Sequence, residues 1–139
     1  MKSPIRFLLL TVVPLCALLA GPSQATVINW TNSSGGSWNT STNWNPNQVP
    51  GGADIALITN GGTYTVTLGS SLAVASLTLG TAGGTGTQTL SWSGGTLSGC
   101  NLAIATGGVL DLSGSAAKNL VHATVNNAGT ITWTGAGQL

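Results

Sequence analysis

Few residues of this 139-residue chain could carry out acid–base, nucleophilic or metal chemistry. It has two carboxylates, Asp54 and Asp111, one imidazole, His122, and no glutamate. Glycoside hydrolysis needs two carboxyl groups a few ångströms apart, whereas the repeat pattern described below places these aspartates two or more coils apart. Zinc sites need clustered His and Cys ligands, and calcium sites need several oxygens. We therefore expect no catalytic residue, no metal site and no cofactor within these 139 residues.

Asp111, Ser113 and His122 are near enough in sequence to suggest a Ser-His-Asp triad. Asp111 and Ser113 are separated by one residue, however, so on a strand they share one outward face, and no nucleophile-elbow motif accompanies them. We predict instead that His122 faces solvent in a turn. Asp54 follows the turn residues Pro50-Gly51-Gly52, and we expect its carboxylate to accept backbone N–H groups.

Charge is scarce, since only 4% of the residues are Asp, Glu, Lys or Arg and the formal net charge is +1. Nucleic-acid binding requires clustered Lys and Arg, so it is excluded as the main role. Solubility must come from Ser, Thr, Asn and Gly. Cys100 is interpreted as a small buried hydrophobe, with a free thiol for intermolecular pairing as the alternative.

Residues 1–25 have the organisation of a secretory signal peptide. Lys2 and Arg6 precede an apolar run over 7–20, which is too short for a membrane-spanning helix and contains Pro14. The small residues Ser23 and Ala25 predict cleavage after Ala25. The mature segment, 26–139, then has a formal charge of −1, and it is predicted to be secreted and not inserted into a membrane.

Strand patterns dominate the mature segment. Short stretches alternate polar and apolar residues and stop at glycine, which is typical of strands with one buried face. These stretches are residues 63–68, 76–79, 89–93, 109–113 and 130–134. Leu90-Ser91-Trp92-Ser93-Gly94 matches residues 110–114 at an offset of 20, and these match residues 131–135 at a further offset of 21. The pattern therefore predicts a solenoid. An antiparallel sandwich also explains alternation, but it does not explain the repeated register.

The repeat predicts which side chains share a face. The inward positions are Leu90, Trp92, Leu110, Leu112, Ile131 and Trp133. The outward positions are Thr89, Ser91, Ser93, Val109, Asp111, Ser113, Thr130, Thr132 and Thr134. A second strand column is predicted over residues 102–108 and 123–129, with Ile104 stacked on Val125 at an offset of 21.

Residues 26–54 differ from the repeats and contain Trp30, Trp38 and Trp44 among Asn, Ser, Thr and Gly. Terminal coils of stacked folds are usually atypical, because they must cover an open apolar end. We interpret this segment as a tryptophan-rich N-terminal cap before solenoid coils over 55–139. The alternative is an aromatic platform on which the same three indoles stack against carbohydrate.

Four stretches resemble known proteins. Two lie in the N-terminal segment, Trp38-Asn39-Thr40-Ser41-Thr42-Asn43-Trp44 and Val49-Pro50-Gly51-Gly52-Ala53-Asp54, and two carry the coil motif, at 90–99 and 126–135. They are similar to the beginning of large bacterial secreted β-helix proteins, including autotransporter-like and adhesin-like surface proteins. The resemblance covers most of residues 28–135. It implies a right-handed parallel β-helix outside the cell, often adhesive or structural, and it carries no catalytic motif.

The sequence thus predicts an all-β solenoid that continues beyond Leu139, with coils of about 20–21 residues. The expected function is a non-catalytic extracellular or cell-surface structural or adhesive protein. The alternatives are the N-terminal part of a polysaccharide-acting lyase or hydrolase, and a carbohydrate-binding module. Surface glycans or host matrix molecules are the expected partners. Self-association through a bare last coil is also expected.

Overall fold

The computed structural model of the chain describes residues 24–139, so most of the predicted signal peptide lies outside the described residues. The described part is almost entirely β-structure, with one 3₁₀ turn at Ser41–Asn43. The strands are β1 Val27–Trp30, β2 Gly36–Ser37, β3 Trp44–Asn45, β4 Ile55–Ile58, β5 Tyr64–Leu68, β6 Leu72–Ala73, β7 Ser76–Leu79, β8 Gln88–Trp92, β9 Gly95–Ser98, β10 Asn101–Ile104, β11 Gly108–Leu112, β12 Lys118–Val121, β13 Thr124–Asn127 and β14 Thr130–Trp133.

The strands form three sheets, and from β4 onward the chain visits these sheets in rotation. Sheet A has the order β13-β10-β7-β4-β1-β3, sheet B has β14-β11-β8-β5-β2, and sheet C has β12-β9-β6. All neighbours are parallel except β1 and β3. The molecule is therefore a β-solenoid of about three turns, which confirms the predicted fold class over the antiparallel sandwich.

Sheet B confirms the predicted repeat. Leu110 pairs with Leu90 on one side and with Ile131 on the other, and Leu112 pairs with Trp92 and Trp133 in the same way. The predicted inward residues therefore stack in two continuous columns. The sequence offsets between the paired residues are the ones that the repeated motif predicts.

Sheet A corrects the predicted second column. Ile104 pairs with Asn127, and it is Leu102 that pairs with Val125. The preceding coil is longer still, because Ser76 pairs with Asn101 at a separation of 25 residues. The corners between strands vary in length, so one period does not hold on every sheet.

Sheet C was not predicted at all. Its strands are short, and its inward column joins Leu72 to Leu97 and Leu97 to Leu120. These leucines lie farther apart along the chain than the paired residues of β8, β11 and β14, so a search at the period of those three strands passes over them. The cross-section consequently has three sides where the sequence indicated two.

The core lies inside this three-sided stack. Alternation places every second residue inward, as in β5 and β8, whose burial alternates along the strand. Leu77, Leu79 and Leu102 are fully enclosed. Burying a leucine contributes about 1.5–3 kcal/mol, so repeated apolar columns stabilise a chain in which no disulfide links the described residues.

The N-terminal segment lies at one end of the stack. β1 joins sheet A through β4, and β3 then pairs antiparallel on the outer edge of β1. Trp44 makes edge-to-face contacts with Trp30 and Trp38, at centroid distances of 5.0 and 4.7 Å. Within residues 24–139 no helix has the length and apolar character needed to cross a membrane.

Candidate functional site

The outer surface of sheet B carries an ordered set of hydroxyl groups. One row of side chains, joined by the strand register, runs Thr65, Thr89, Val109 and Thr130. The adjacent row runs Thr67, Ser91, Asp111 and Thr132. We call these two rows, with Ser113 and Thr134 beside them, the hydroxyl face. Parallel strands fix its spacing at about 4.8 Å between strands and about 6.6 Å between alternate residues of one strand.

Asp111 is held by neutral hydroxyl groups. Its Oδ1 accepts hydrogen bonds from Thr134 Oγ1 at 2.7 Å and Thr132 Oγ1 at 3.2 Å. Ser91 Oγ donates to Asp111 Oδ2 at 3.4 Å and lies 2.8 Å from Ser113 Oγ. The carboxylate thus organises the second row, and the hydroxyls around it are occupied within the protein.

The first row differs, because its hydroxyls remain free. Within the described residues, the side chains of Thr65, Thr89 and Thr130 make no hydrogen bond to another protein group. Thr65 and Thr130 are exposed, and Thr89 is half-buried. The row therefore presents three hydroxyls in register to solvent, interrupted by the methyl groups of Val109.

The residues considered for a triad do not assemble into one. Ser113 is paired with Ser91, and Asp111 with the threonines of β14. His122 is exposed in the bend that follows β12 of sheet C. Its predicted solvent-facing position is therefore confirmed. Hydrogen bonds between nucleophile, base and carboxylate define a triad, and these three residues have other partners or none among the described residues.

Asp54 lies away from the hydroxyl face, at the start of β4. Its Oδ2 accepts the Gly51 N–H at 2.8 Å and its Oδ1 accepts the Thr26 N–H at 3.2 Å. The Gln48 amide donates to Oδ2 at 3.4 Å. The expectation that Asp54 accepts backbone N–H groups is confirmed, and the carboxylate ties the Pro50-Gly51-Gly52 turn to the first strand.

The three tryptophans predicted as carbohydrate-stacking residues lie inside the molecule. Trp30, Trp38 and Trp44 are only 2%, 1% and 1% exposed. The indole N–H of Trp30 donates to Asn32 O, and that of Trp44 donates to Trp38 O at 2.8 Å. A sugar could stack on these rings only after the N-terminal segment opened, so their position favours packing.

Cys100 is buried, with 1% of its surface exposed, which confirms its interpretation as a core residue. Burial raises the pKa of the thiol to about 11, although a backbone hydrogen bond at Leu77 partly offsets this rise. A thiol that stays protonated is a poor nucleophile.

Lys118 is a buried residue that sequence reasoning missed. Its side chain is fully enclosed, and Nζ donates to Ala116 O at 3.0 Å. Strand alternation could have predicted this burial, because Lys118 and Leu120 share the inward face of β12. Its charge therefore contributes little to the surface.

Among residues 24–139, no three His, Cys, Asp or Glu side chains gather as metal ligands would. Comparisons with protein-family models, with curated proteins and with solved structures find no match to this chain. The solenoid is shown by the structure, whereas the bacterial surface-protein family suggested by residues 38–54 and the coil motif stays a prediction.

Proposed function

We propose that this chain is a secreted, non-catalytic structural and adhesive protein whose hydroxyl face binds neutral, hydroxyl-rich polymers such as surface or matrix glycans. The observation that carries the proposal is the row of free hydroxyls at Thr65, Thr89 and Thr130, held in register by sheet B. The stacked coils act as a rigid support for this row.

Regular spacing makes a weak contact useful. One hydrogen bond contributes about 0.5–1.5 kcal/mol net, which is too little for recognition by itself. A linear polymer meets several hydroxyls at once on a rigid face, and contacts made together by one molecule reinforce one another. Because the stack is stiff, we expect it to bind an extended polymer more tightly than a single sugar.

The electrostatic character of the face favours a neutral partner. Asp111 is the one charged residue in the two rows of the hydroxyl face. Its oxygens already accept hydrogen bonds from Ser91, Thr132 and Thr134. Attraction between charges is weakened by salt, whereas hydrogen bonds between hydroxyls depend on salt much less. We accordingly expect binding to persist at high ionic strength.

Export belongs to the same proposal. Its support is the basic and apolar segment beginning at Lys2 and Arg6, together with the small residues before Thr26. A cleaved signal peptide would deliver the solenoid outside the cell, where glycans and matrix polymers are found.

Retention on insoluble cellulose and chitin tests the proposed binding. The variant is a triple change, Thr65→Val, Thr89→Val and Thr130→Val, which removes three hydroxyls while preserving side-chain shape. Val109 already occupies this row, so valine fits there. We expect the retained fraction to fall at least about fivefold, about 1 kcal/mol, because the variant loses the free donors.

The control is Thr78→Val, which removes an outward hydroxyl from sheet A at a residue that is half-buried, as Thr89 is. It should leave retention unchanged. Equal retention of the triple variant and the unaltered protein on both polymers, or no retention of the unaltered protein on either, would contradict the proposed role of the hydroxyl face.

A further inference from the structure

We infer that cleavage after Ala25 creates an ion pair between the new α-ammonium of Thr26 and the carboxylate of Asp54, which fastens the first strand to the solenoid. The inference rests on the export part of the proposed function and does not depend on glycan binding. It assigns Asp54 as the residue that receives the mature N terminus.

Cleavage after Ala25 is the hydrolysis of one peptide bond. A signal peptidase adds water across the Ala25–Thr26 peptide bond, so the C–N bond breaks and Ala25 acquires a carboxylate. The nitrogen of Thr26 keeps its hydrogen and takes up further protons to become an ammonium group at neutral pH. No oxidant, reductant or other co-reactant is needed.

The nitrogen that becomes charged is already in position. Thr26 N lies 3.2 Å from Asp54 Oδ1, and the carbonyl oxygen of Thr26 accepts the N–H of Ile55 at 2.9 Å. Asp54 is fixed as well, because its N–H donates to Gly51 O at 2.9 Å and its carbonyl accepts from Ala75 at 3.0 Å. Cleavage would therefore turn an existing hydrogen bond into a charge-assisted one without moving either residue.

Asp54 lacks any other cationic partner within residues 24–139. The residue is 7% exposed, and the remaining donors to its carboxylate are the neutral Gly51 N–H and Gln48 amide. Lys118, the other cation of the mature segment, is buried in β12 on sheet C. A largely enclosed carboxylate gains most from a partner that carries a full charge.

The position of this pair gives it a structural effect. Thr26 immediately precedes β1, which carries Ile28 and Trp30 into the core. Thr26 is exposed, as are Gln24 and Ala25 on the other side of the bond. An N-terminal strand frays unless its first residue is anchored, and the ion pair supplies that anchor only when the chain begins at Thr26.

The experiment compares chains that begin at different residues. The secreted protein is first purified and its N terminus determined by mass spectrometry, with Thr26 as the expected first residue. Its Tm is then compared with that of a chain beginning at Ser23, in which the ammonium group is displaced along the chain from Asp54. Each form is also made with Asp54→Asn, which retains an acceptor oxygen but removes the charge.

We expect the chain beginning at Thr26 to have the higher Tm and slower amide exchange at Ile28. The Asp54→Asn change should abolish the difference between the two starting points. Equal Tm values for the two starting points would overturn the ion pair, as would a difference that survives Asp54→Asn. A secreted chain that begins at another residue would overturn the proposed processing, and retention on cellulose or chitin would separately decide the function of the hydroxyl face.

Discussion

Asp54 and Asp111 are the two acidic side chains of the chain, and before cleavage neutral groups donate hydrogen bonds to both of them. Asp54 accepts two backbone N–H groups, and Asp111 accepts the hydroxyls of Thr132 and Thr134. Proline–glycine turn chemistry before Asp54 made the first arrangement predictable. The second depends on which side chains the register brings beside Asp111, so it required the structure.

Cys100 provides a prediction about alkaline stability. Burial raises the pKa of its thiol from 9.0 to about 11, so the folded state keeps the proton over a range where the unfolded state loses it. The folded state binds more protons there, and the free energy of unfolding must fall as the pH rises from about 9 to 11. Urea unfolding across this range should show the decline.

A variant separates this effect from the titration of Tyr64, whose pKa burial raises from 10.0 to about 12. Cys100→Ala should flatten the decline between pH 9 and 10, before Tyr64 contributes. The native thiol should also react slowly with a soluble disulfide reagent at pH 8 and rapidly once the chain is unfolded. Fast reaction of the folded protein would contradict the buried position of Cys100.

At the scale of strands and corners, the sequence predicts what repeats and misses what varies. The motif beginning at Leu90 recurs at nearly constant spacing, so the pairing of β8, β11 and β14 could be predicted. On sheet A the same reasoning assigned Ile104 the wrong partner, because corner lengths differ between coils. Sheet C was not predicted, because β6 is very short and the paired leucines of this sheet lie farther apart along the chain than the repeats of the Leu90 motif.

The hydroxyl face was likewise predictable in part. Strand alternation placed Thr89, Ser91 and their repeats outward, and the structure bears this out. Which hydroxyls are free could not be derived from alternation, since it depends on the hydrogen bonds around Asp111. The burial of the three tryptophans could not be predicted from residue type either, because an indole suits both a core and a sugar-binding surface.

Glycines at the corners test whether coils really stack. Gly80 and Gly83 both have positive φ, of 85° and 72°. A Cβ on Gly80 would lie 2.2 Å from Gly108 N in the next coil, whereas one on Gly83 would meet nothing within 4 Å. We expect Gly83→Ala to cost about 1 kcal/mol for its backbone conformation, and Gly80→Ala to cost about 1–3 kcal/mol more for the clash.

Chemical unfolding of the two variants measures the difference directly. Because both glycines share the left-handed backbone conformation, the difference between them reports the approach of neighbouring coils. Equal destabilisation by the two substitutions would show that the backbone of the next coil does not lie against Gly80.

Taken together, residues 24–139 form a solenoid segment with two unlike ends. At the N-terminal end, β3 pairs with the outer edge of β1, and Trp30, Trp38 and Trp44 are buried. At the other end the inward columns finish in residues that are roughly two-fifths to one-half exposed. These are Leu120, Val125, Ile131 and Trp133. Bare strand edges beside exposed apolar side chains promote association between chains.

We expect residues 26–139, produced as an isolated chain, to associate with a second copy through this end. Trp133→Lys should raise the dissociation constant at least about tenfold, because it places a charge in the apolar contact. Val27→Lys is the matched control, since Val27 and Trp133 are each 48% exposed but lie at opposite ends of the stack. Analytical ultracentrifugation measures both.

The association would be contradicted if the unaltered chain sedimented as a monomer at all concentrations tested. Equal weakening by Val27→Lys and Trp133→Lys would instead place the contact elsewhere. Circular dichroism should show that both variants retain the β-structure of the unaltered protein.

Formation of a disulfide across neighbouring coils tests the stacked register most directly. Thr89 and Val109 are paired on adjacent parallel strands, at an expected Cα separation of about 4.8 Å, within the range of about 4.4–6.8 Å that a disulfide spans. Thr89→Cys with Val109→Cys should therefore oxidise readily within one chain. Thr65→Cys with Val109→Cys, in the same row but two strands apart at about 9.6 Å, should not. Equal oxidation of the two pairs, or oxidation of the second pair alone, would contradict the solenoid register on which the hydroxyl face depends.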